Sequence, residues 1–168
     1  MRRPILLLLG AMLAAPIVVS AAAWAATTIR CPNDPQGIGG GTCWGTRGAD
    51  VIIGTSQKDE INGDRGADLI LAGGGADLIT NGESDYWFGK DKNHGGRGAD
   101  YIVGQLVSEK HFGGRGDDHI VDYRSGKNPD VIRCGAGRDE VTYNKGLDRV
   151  ADDCEVLRPV SKGMVTPN

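Results

Sequence analysis

A repeat of nine residues constrains the fold of this chain more than any other feature of its sequence. The repeat is clearest in residues 95–103, GGRGADYIV, and it returns in residues 113–121, GGRGDDHIV. Glycine at the first, second and fourth positions allows a tight turn with positive φ. The residues after the aspartate at position six can form a short strand whose middle side chain points inward. This period predicts a parallel β-roll, in which two units make one coil.

The eighth position of each unit predicts a ladder of inward-facing aliphatic side chains. The ladder consists of Ile52, Ile61, Ile70, Ile79, Ile102, Ile120, Ile132, Val141 and Val150. One buried aliphatic residue per strand contributes about 1.5–3 kcal/mol. Glycine makes up 27 of 168 residues, and ordering glycine has a high entropic cost. We therefore expect the fold to need a metal ion or disulfides.

The sixth position predicts two stacked columns of carboxylates, because alternate units should lie above one another. The first column should hold Asp50, Asp68, Asp85, Asp100, Asp118 and Asp139, and the second Asp59, Asp77, Asp91, Glu109, Asp130 and Asp148. Asp85 and Asp91 are placed as the aspartates of two shortened units. The first column retains the turn glycines Gly48, Gly66, Gly98, Gly116 and Gly137. We expect that edge to bind ligands and the other edge to be mostly structural.

Stacked carboxylates need a counter-charge, because strands about 4.8 Å apart bring like charges together. Calcium suits such a site, since it accepts hard oxygen ligands in flexible geometry, and glycine turns expose their carbonyl groups. Arginines at the third position, Arg47, Arg65, Arg97 and Arg115, offer an alternative. Their guanidinium groups could neutralise the column without metal.

The repeat resembles the RTX, or hemolysin-type calcium-binding, family over about residues 45–151. The resemblance implies calcium ions between stacked turns, with the best sites between Asp50 and Asp68, between Asp100 and Asp118, and between Asp118 and Asp139. The implied ligand set comprises Asp50, Asp68, Asp77, Asp100, Asp118 and Asp139 with the glycines Gly48, Gly66, Gly95, Gly98, Gly113 and Gly116. Larger family members add a protease, lipase or toxin domain. No residues remain here for one, so we expect no enzymatic activity.

The first 25 residues are predicted to be a secretory signal peptide. Arg2 and Arg3 precede an apolar run, and Ala23 and Ala25 provide small residues for cleavage; an uncleaved membrane anchor is the alternative. Cleavage leaves 19 − 2 = 17 basic and 22 acidic residues. This acidic balance argues against nucleic acid as a partner. We expect a secreted monomer that binds calcium ions and no membrane.

The remaining sequence predicts an all-β, right-handed parallel β-roll (β-solenoid) with short caps. Residues 26–44 should form a loop-like N-terminal cap, residues 45–151 the roll, and residues 152–168 a capping strand, stopped by Pro159, and a disordered tail. Four cysteines allow three pairings. Rung arithmetic pairs Cys134 with Cys154, and the cap pairs Cys31 with Cys43. Zinc is the competing interpretation, but Cys-x-x-Cys spacing is absent and a secreted protein is oxidised.

The sequence favours a structural or interaction role for this calcium-binding roll. Of the histidines, His111 should be an inward core residue and His119 should point outward. One alternative is an adhesion or matrix protein that uses its outward side chains, Val51, Leu69, Leu78, Tyr86 and Tyr101. A polysaccharide hydrolase is a further alternative. It would need two carboxylates across a cleft, whereas the repeat already explains every carboxylate of the two columns.

Overall fold

Short strands wind into a β-solenoid of about six coils in the computed structural model. The structure describes residues 26–36, 40–82, 89–104, 107–122 and 127–160. Two sheets of seven strands face each other, and all pairings within them are parallel. The predicted all-β parallel solenoid is therefore confirmed. Over the described residues, there is no helix with the length and apolar character needed to cross a membrane.

Successive strands alternate between the two sheets. The first sheet contains β1 (Thr27–Arg30), β3 (Asp50–Ile53), β5 (Leu69–Gly74), β7 (Lys92–Arg97), β9 (Lys110–Arg115), β11 (Val131–Ala136) and β13 (Arg149–Val150). The second contains β2 (Thr42–Trp44), β4 (Glu60–Asn62), β6 (Leu78–Thr80), β8 (Tyr101–Val103), β10 (His119–Asp122), β12 (Glu140–Asn144) and β14 (Val156–Val160). Each coil therefore contributes one strand to each sheet.

The inward ladder forms as predicted and is divided between the sheets. Ile52, Ile70 and Ile132 face inward from the first sheet, and Ile61, Ile79, Ile102, Ile120 and Val141 from the second; all eight are fully buried. Val150 is only partly buried. In the first sheet, Asn93 and His111 occupy the two inward positions between Ile70 and Ile132. Both polar side chains are fully buried, so this part of the core is not aliphatic.

The two carboxylate columns differ from the predicted ones after residue 80. Asp68 and Asp77 stack on residues 23 positions later, Asp91 and Asp100, whereas the usual separation is 18. Residues 81–94 therefore form one unit with 23 − 18 = 5 additional residues, and not two shortened units. With one unit fewer than predicted, every later carboxylate moves to the other column: Asp91 stacks on Asp68, and Asp100 stacks on Asp77. The prediction that placed Asp85 in a column is wrong, and Asp85 itself lies outside the described residues.

The columns in the structure are as follows. One holds Asp50, Asp68, Asp91, Glu109, Asp130 and Asp148, and the other Asp59, Asp77, Asp100, Asp118, Asp139 and Glu155. The second series lies at the turns that lead from the first sheet to the second. The first series lies at the return turns, on the opposite edge of the solenoid.

Both ends of the chain extend the sheets further than predicted. The segment 26–44, expected to be loop-like, contributes β1 and β2, which pair with β3 and β4. At the other end, β14 pairs with β12 through Pro159 to Val160, so Pro159 does not end the strand. Proline is tolerated there because β14 is an edge strand. Residues 1–25 and 161–168, the predicted signal peptide and tail, lie outside the described residues.

Both predicted disulfides are present. Cys31 bonds to Cys43 with a Cα–Cα distance of 5.4 Å, and Cys134 bonds to Cys154 with a Cα–Cα distance of 5.2 Å. All four residues belong to the buried core. The two bridges therefore fix the first and last coils, and no cysteine thiol remains to bind zinc.

Candidate metal centre

Glycine-rich turns stack in register along one edge, which we call the glycine edge; it contains turns 73–77, 96–100, 114–118 and 135–139. Their second positions, Gly73, Gly96, Gly114 and Gly135, are aligned, and their fourth positions are Gly75, Gly98, Gly116 and Gly137. All eight glycines have φ between 105° and 159°. A β-carbon on any of them would collide with the backbone of the preceding coil. Only glycine allows these turns to stack so closely.

One oxygen of most ladder carboxylates accepts a backbone N–H from the preceding coil; Asp59 is an exception, since its Oδ1 has no partner among the described residues. On the glycine edge, Asp100 Oδ1 accepts a hydrogen bond of 2.9 Å from the Asp77 backbone N–H, and Asp118 Oδ1 accepts one of 2.9 Å from the Asp100 N–H. Asp139 does the same for Asp118 at 2.8 Å. The carboxylates are therefore structural ties between coils, whether or not a cation is bound.

The second oxygen divides the aspartates into two groups. In Asp50, Asp59 and Asp148 it accepts a backbone N–H from the second position of the same turn, Thr46, Thr55 and Asn144, at 2.6 Å in each case. We call these closed carboxylates. In the open group the second oxygen, Oδ2, is buried and has no hydrogen-bond partner among the described residues; the group is Asp68, Asp77, Asp100, Asp118 and Asp139.

The backbone at the second turn position separates the two groups. Each open carboxylate belongs to a turn whose second residue has positive φ: Asp64, Gly73, Gly96, Gly114 or Gly135. No closed carboxylate belongs to such a turn. An unpaired buried carboxylate oxygen is costly. An open turn therefore has a buried Oδ2 that a cation could satisfy, whereas in a closed turn Oδ2 is already paired. Among the closed carboxylates, Asp59 still has an unpaired oxygen within the described residues, but it is Oδ1.

Two open turns combine this oxygen with a carbonyl from the next coil. A β-carbon built on Gly95 would lie 2.6 Å from the Gly113 carbonyl oxygen and in collision with Asp100 Oδ2. One coil further, a β-carbon on Gly113 would lie 2.6 Å from the Cys134 carbonyl oxygen and in collision with Asp118 Oδ2. Each glycine thus leaves a small space lined by two hard oxygens, which we call an oxygen cradle. Calcium takes such ligands, so these residues fit that ion.

Among the described residues, no basic side chain forms an ion pair with Asp100 or Asp118 on the glycine edge. Burial raises the pKa of Asp100 to about 7, in spite of the hydrogen bond from Asp77, with repulsion from Asp77 and Asp118 adding to it. Burial likewise raises the pKa of Asp118 to about 6. Within the described ranges, no ion pair joins Arg47, Arg97 or Arg115 to these carboxylates. The arginine alternative therefore has no support at these three positions.

These raised pKa values predict an unusual pH dependence for the calcium-free protein. Folding raises the pKa of these carboxyl groups from 3.8 to about 6 or 7. Each group therefore contributes its full stabilisation below the unfolded-state pKa of 3.8, and this contribution is lost as the pH rises through the folded-state pKa. We expect the melting temperature of protein freed of metal by gel filtration to be higher at about pH 5 than at about pH 8. An equal or higher melting temperature at pH 8 would contradict uncompensated burial of the ladder.

His111 and His119 occupy the inward and outward positions predicted for them. His111 is fully buried, and its burial lowers the pKa less than hydrogen bonds to Asp122 and Glu109 raise it, so that the value is about 10. His119 is partly exposed and contacts Tyr101 edge to face, with ring centroids 4.9 Å apart. Sequence reasoning missed the polar surroundings of His111. The sequence did contain a signal that Asn93 points inward: it follows Asp91 by two positions, and in most other units isoleucine follows the ladder aspartate by the same two positions.

Comparison with known families identifies the repeat. Residues 44–79 match the family model described as the RTX calcium-binding nonapeptide repeat, in four copies. This segment is an RTX repeat. It contains the open turns at Asp68 and Asp77 together with the closed turns at Asp50 and Asp59. Neither a curated protein nor a solved structure matches the chain. The RTX-like turns at 96–100 and 114–118, which form the oxygen cradles, lie beyond the matched segment.

The structure distributes the predicted ligands over both edges. Asp77, Asp100, Asp118 and Asp139 share the glycine edge with Gly95, Gly98, Gly113 and Gly116. The opposite edge holds Asp50, Asp68, Gly48 and Gly66. The sequence pattern had instead predicted these residues in the same column as Asp100, Asp118 and Asp139. Asp50 is closed by the Thr46 N–H and hydroxyl. The carbonyl of Cys134 was not predicted as a ligand, because only the backbone geometry reveals it.

Proposed function

We propose that this protein is a secreted calcium-binding RTX β-roll with a structural or interaction role and no catalytic activity. The single observation that carries the proposal is the pair of oxygen cradles at Gly95 and Gly113, where an unpaired carboxylate oxygen meets a carbonyl of the next coil. The RTX repeat in the same solenoid supports calcium as the ion. The two disulfides are consistent with an oxidising, extracellular environment.

The proposed sites number two in the described part of the glycine edge. Asp100 and the Gly113 carbonyl form the first, and Asp118 and the Cys134 carbonyl form the second. At the turn that contains Asp77, the position equivalent to Gly95 is Ala72, whose methyl group already fills the corresponding space. We therefore propose no ion there. Bound calcium would link consecutive coils and neutralise carboxylates that otherwise repel one another.

A calcium titration of the metal-free protein tests this assignment. Isothermal calorimetry should give about two sites for the wild type and about one for Asp118→Asn, which keeps the hydrogen bond to the Asp100 N–H but loses the ligand charge. The matched control is Asp148→Asn. Its carboxylate is closed by Asn144, so two sites should remain. Equal stoichiometry in all three proteins, or none in the wild type, would overturn the assignment.

Two aromatic contacts on the outer surfaces favour a second candidate, an adhesion or matrix-binding role. His94 and Phe112 stack with ring centroids 4.4 Å apart on the first sheet, and Tyr101 and His119 meet on the second. Flat aromatic surfaces suit binding to sugars or other proteins. This role would be favoured if the wild type is retained on cell-wall polysaccharide and Phe112→Ser is not. Retention that does not depend on calcium would show that the binding surface is separate from the proposed metal sites.

A further inference from the structure

A fully buried polar cluster interrupts the aliphatic core between the coils of β7 and β9. It consists of Asn81, Asn93, Glu109, His111 and Asp122, each at most 2% exposed. Asn93 and His111 lie at inward positions of the first sheet. The equivalent positions in the neighbouring strands hold Ile70 and Ile132. Replacing apolar residues by a buried charged cluster rarely stabilises a fold by itself. The cluster therefore calls for a ligand or another specific role.

Three ligand atoms converge in this cluster. His111 Nε2 lies 3.1 Å from Asp122 Oδ2 and 3.4 Å from Glu109 Oε2, and the three ligand atoms lie within 4.8 Å of one another. An imidazole Nε2 carries at most one hydrogen, so it cannot make a good hydrogen bond to both carboxylates. Ligands about 2.0–2.2 Å from a tetrahedral ion lie about 3.3 Å apart, which matches the two distances from His111 Nε2.

Unpaired buried oxygens surround the same three residues. Asp122 Oδ1, Asn81 Oδ1 and Asn93 Oδ1 have no hydrogen-bond partner in the described structure. The Asn81 amide faces the cluster, because its Nδ2 donates to Glu109 Oε1 at 2.6 Å. A β-carbon on Gly104 would lie 2.7 Å from Asp122 Oδ1 and 2.8 Å from Glu109 Oε2. The glycine at this position keeps space open beside both carboxylates.

Asn93 is placed to support metal binding by His111. Its amide lies beside the second ring nitrogen, with Asn93 Nδ2 3.2 Å from His111 Nδ1. The oxygen and nitrogen of an amide are interchangeable by a flip. In the orientation shown by the structure, Asn93 Oδ1 lacks a partner among the described residues. After the flip, Asn93 Oδ1 would accept the Nδ1–H of a neutral His111 imidazole. Histidines that bind metals usually donate their second N–H in this way.

We propose that Glu109, His111 and Asp122 form a second metal site that selects a transition-metal ion such as Zn²⁺ and is distinct from the calcium sites. One imidazole nitrogen and two carboxylate oxygens suit zinc, whereas calcium and magnesium favour ligand sets made of oxygen alone. The divalent charge would offset the two buried carboxylates. Glu109 also lines a surface groove of about 310 Å³ together with Asp91, Ser108 and the lysines Lys90, Lys92 and Lys110.

The test is a zinc titration of the disulfide-intact protein in saturating calcium, which occupies the glycine edge first. The wild type should bind one Zn²⁺ per chain. Asp122→Asn, which keeps its shape and can still accept from His111, should lower zinc affinity at least about 100-fold, because changes in outer-shell groups alone cost 10–100-fold. The control His119→Gln, at a partly exposed histidine, should bind zinc as the wild type does.

X-ray absorption at the zinc edge of the wild-type complex provides a measurement that needs no variant to fold. The first shell should contain one imidazole nitrogen together with oxygen ligands and no sulfur, since the cluster at Cys134, Asp153 and Cys154 has both thiols in a disulfide. The proposal is overturned by absence of zinc binding, by a shell without imidazole, or by equal zinc affinity of wild type and Asp122→Asn. None of these outcomes affects the calcium titration, so the two proposals fail separately.

Discussion

Calcium should raise the melting temperature of the metal-free protein by about 15–20 °C. A ligand present at 100 times its dissociation constant stabilises the folded state by about 2.7 kcal/mol per site, so the two oxygen cradles together contribute about 5 kcal/mol. For a chain of this size, 1 kcal/mol shifts the melting temperature by about 3–4 °C. The physical cause is the buried Oδ2 atoms of Asp100 and Asp118, which lack partners among the described residues.

The measurement is a set of thermal melts with calcium, with magnesium and with chelator, all with the disulfides intact. Magnesium should give a much smaller shift, because it requires a tighter octahedral shell than a carboxylate and a carbonyl from two coils can provide. The melts should be run near pH 8, where the carboxylates are ionised. If the three curves superimpose, the solenoid is stable without metal and the calcium assignment is wrong.

Gly113→Ala should abolish one calcium site and destabilise the protein even without calcium. The added methyl group would meet Asp118 Oδ2 and the Cys134 carbonyl, and the backbone part of that contact cannot rotate away. Overpacking a tight site costs about 1–3 kcal/mol. Calcium stoichiometry should fall from about two to about one, and the calcium-dependent rise in melting temperature should fall by about half.

Gly48→Ala is the matched control for this substitution. Neither Gly48 nor Gly113 has positive φ, so alanine suits both backbones and only the available space differs. A β-carbon on Gly48 would contact Thr46 Oγ1 at an ordinary 3.7 Å. Its turn also holds the closed carboxylate of Asp50. We expect unchanged calcium binding and a small gain in stability from the lower entropy of the unfolded chain. Full calcium binding by Gly113→Ala would disprove the cradle.

The sequence was sufficient to predict the solenoid, the inward ladder and both disulfides. The solenoid, the ladder and the Cys134–Cys154 bond follow from a fixed period, because strand spacing and side-chain alternation are set by the backbone; the Cys31–Cys43 bond was predicted from the N-terminal cap. The division into two columns was not predictable in the same way. Five additional residues between Asp77 and Asp100 are equally consistent with two short units or one long unit. Only the pairing of β5 with β7 decides between them.

The choice between open and closed carboxylates also exceeded what residue types alone indicate. Asp50 and Asp68 both follow a turn with glycine at the fourth position, and sequence reasoning treated them alike. The structure separates them, because Thr46 donates its N–H to Asp50 while Asp64, with φ of 61°, does not cap Asp68. A non-glycine residue with positive φ depends on its surroundings. The second position of the turn, and not the fourth, is therefore the one to inspect.

The location of the two proposed calcium sites would give ion uptake a direction along the solenoid axis. Each cradle combines one oxygen from its own coil with one from the next coil. An ion in one cradle would therefore also order the coil that the other cradle shares, as in a chain of nearest-neighbour interactions. The carbonyl of the Gly113 cradle belongs to Cys134, which the bond to Cys154 already anchors. The Gly95 cradle instead depends on the carbonyl of Gly113, a residue of the Gly113 cradle itself. Loading would thus begin at the anchored coil and proceed toward the N-terminus, like a zipper closed from one end.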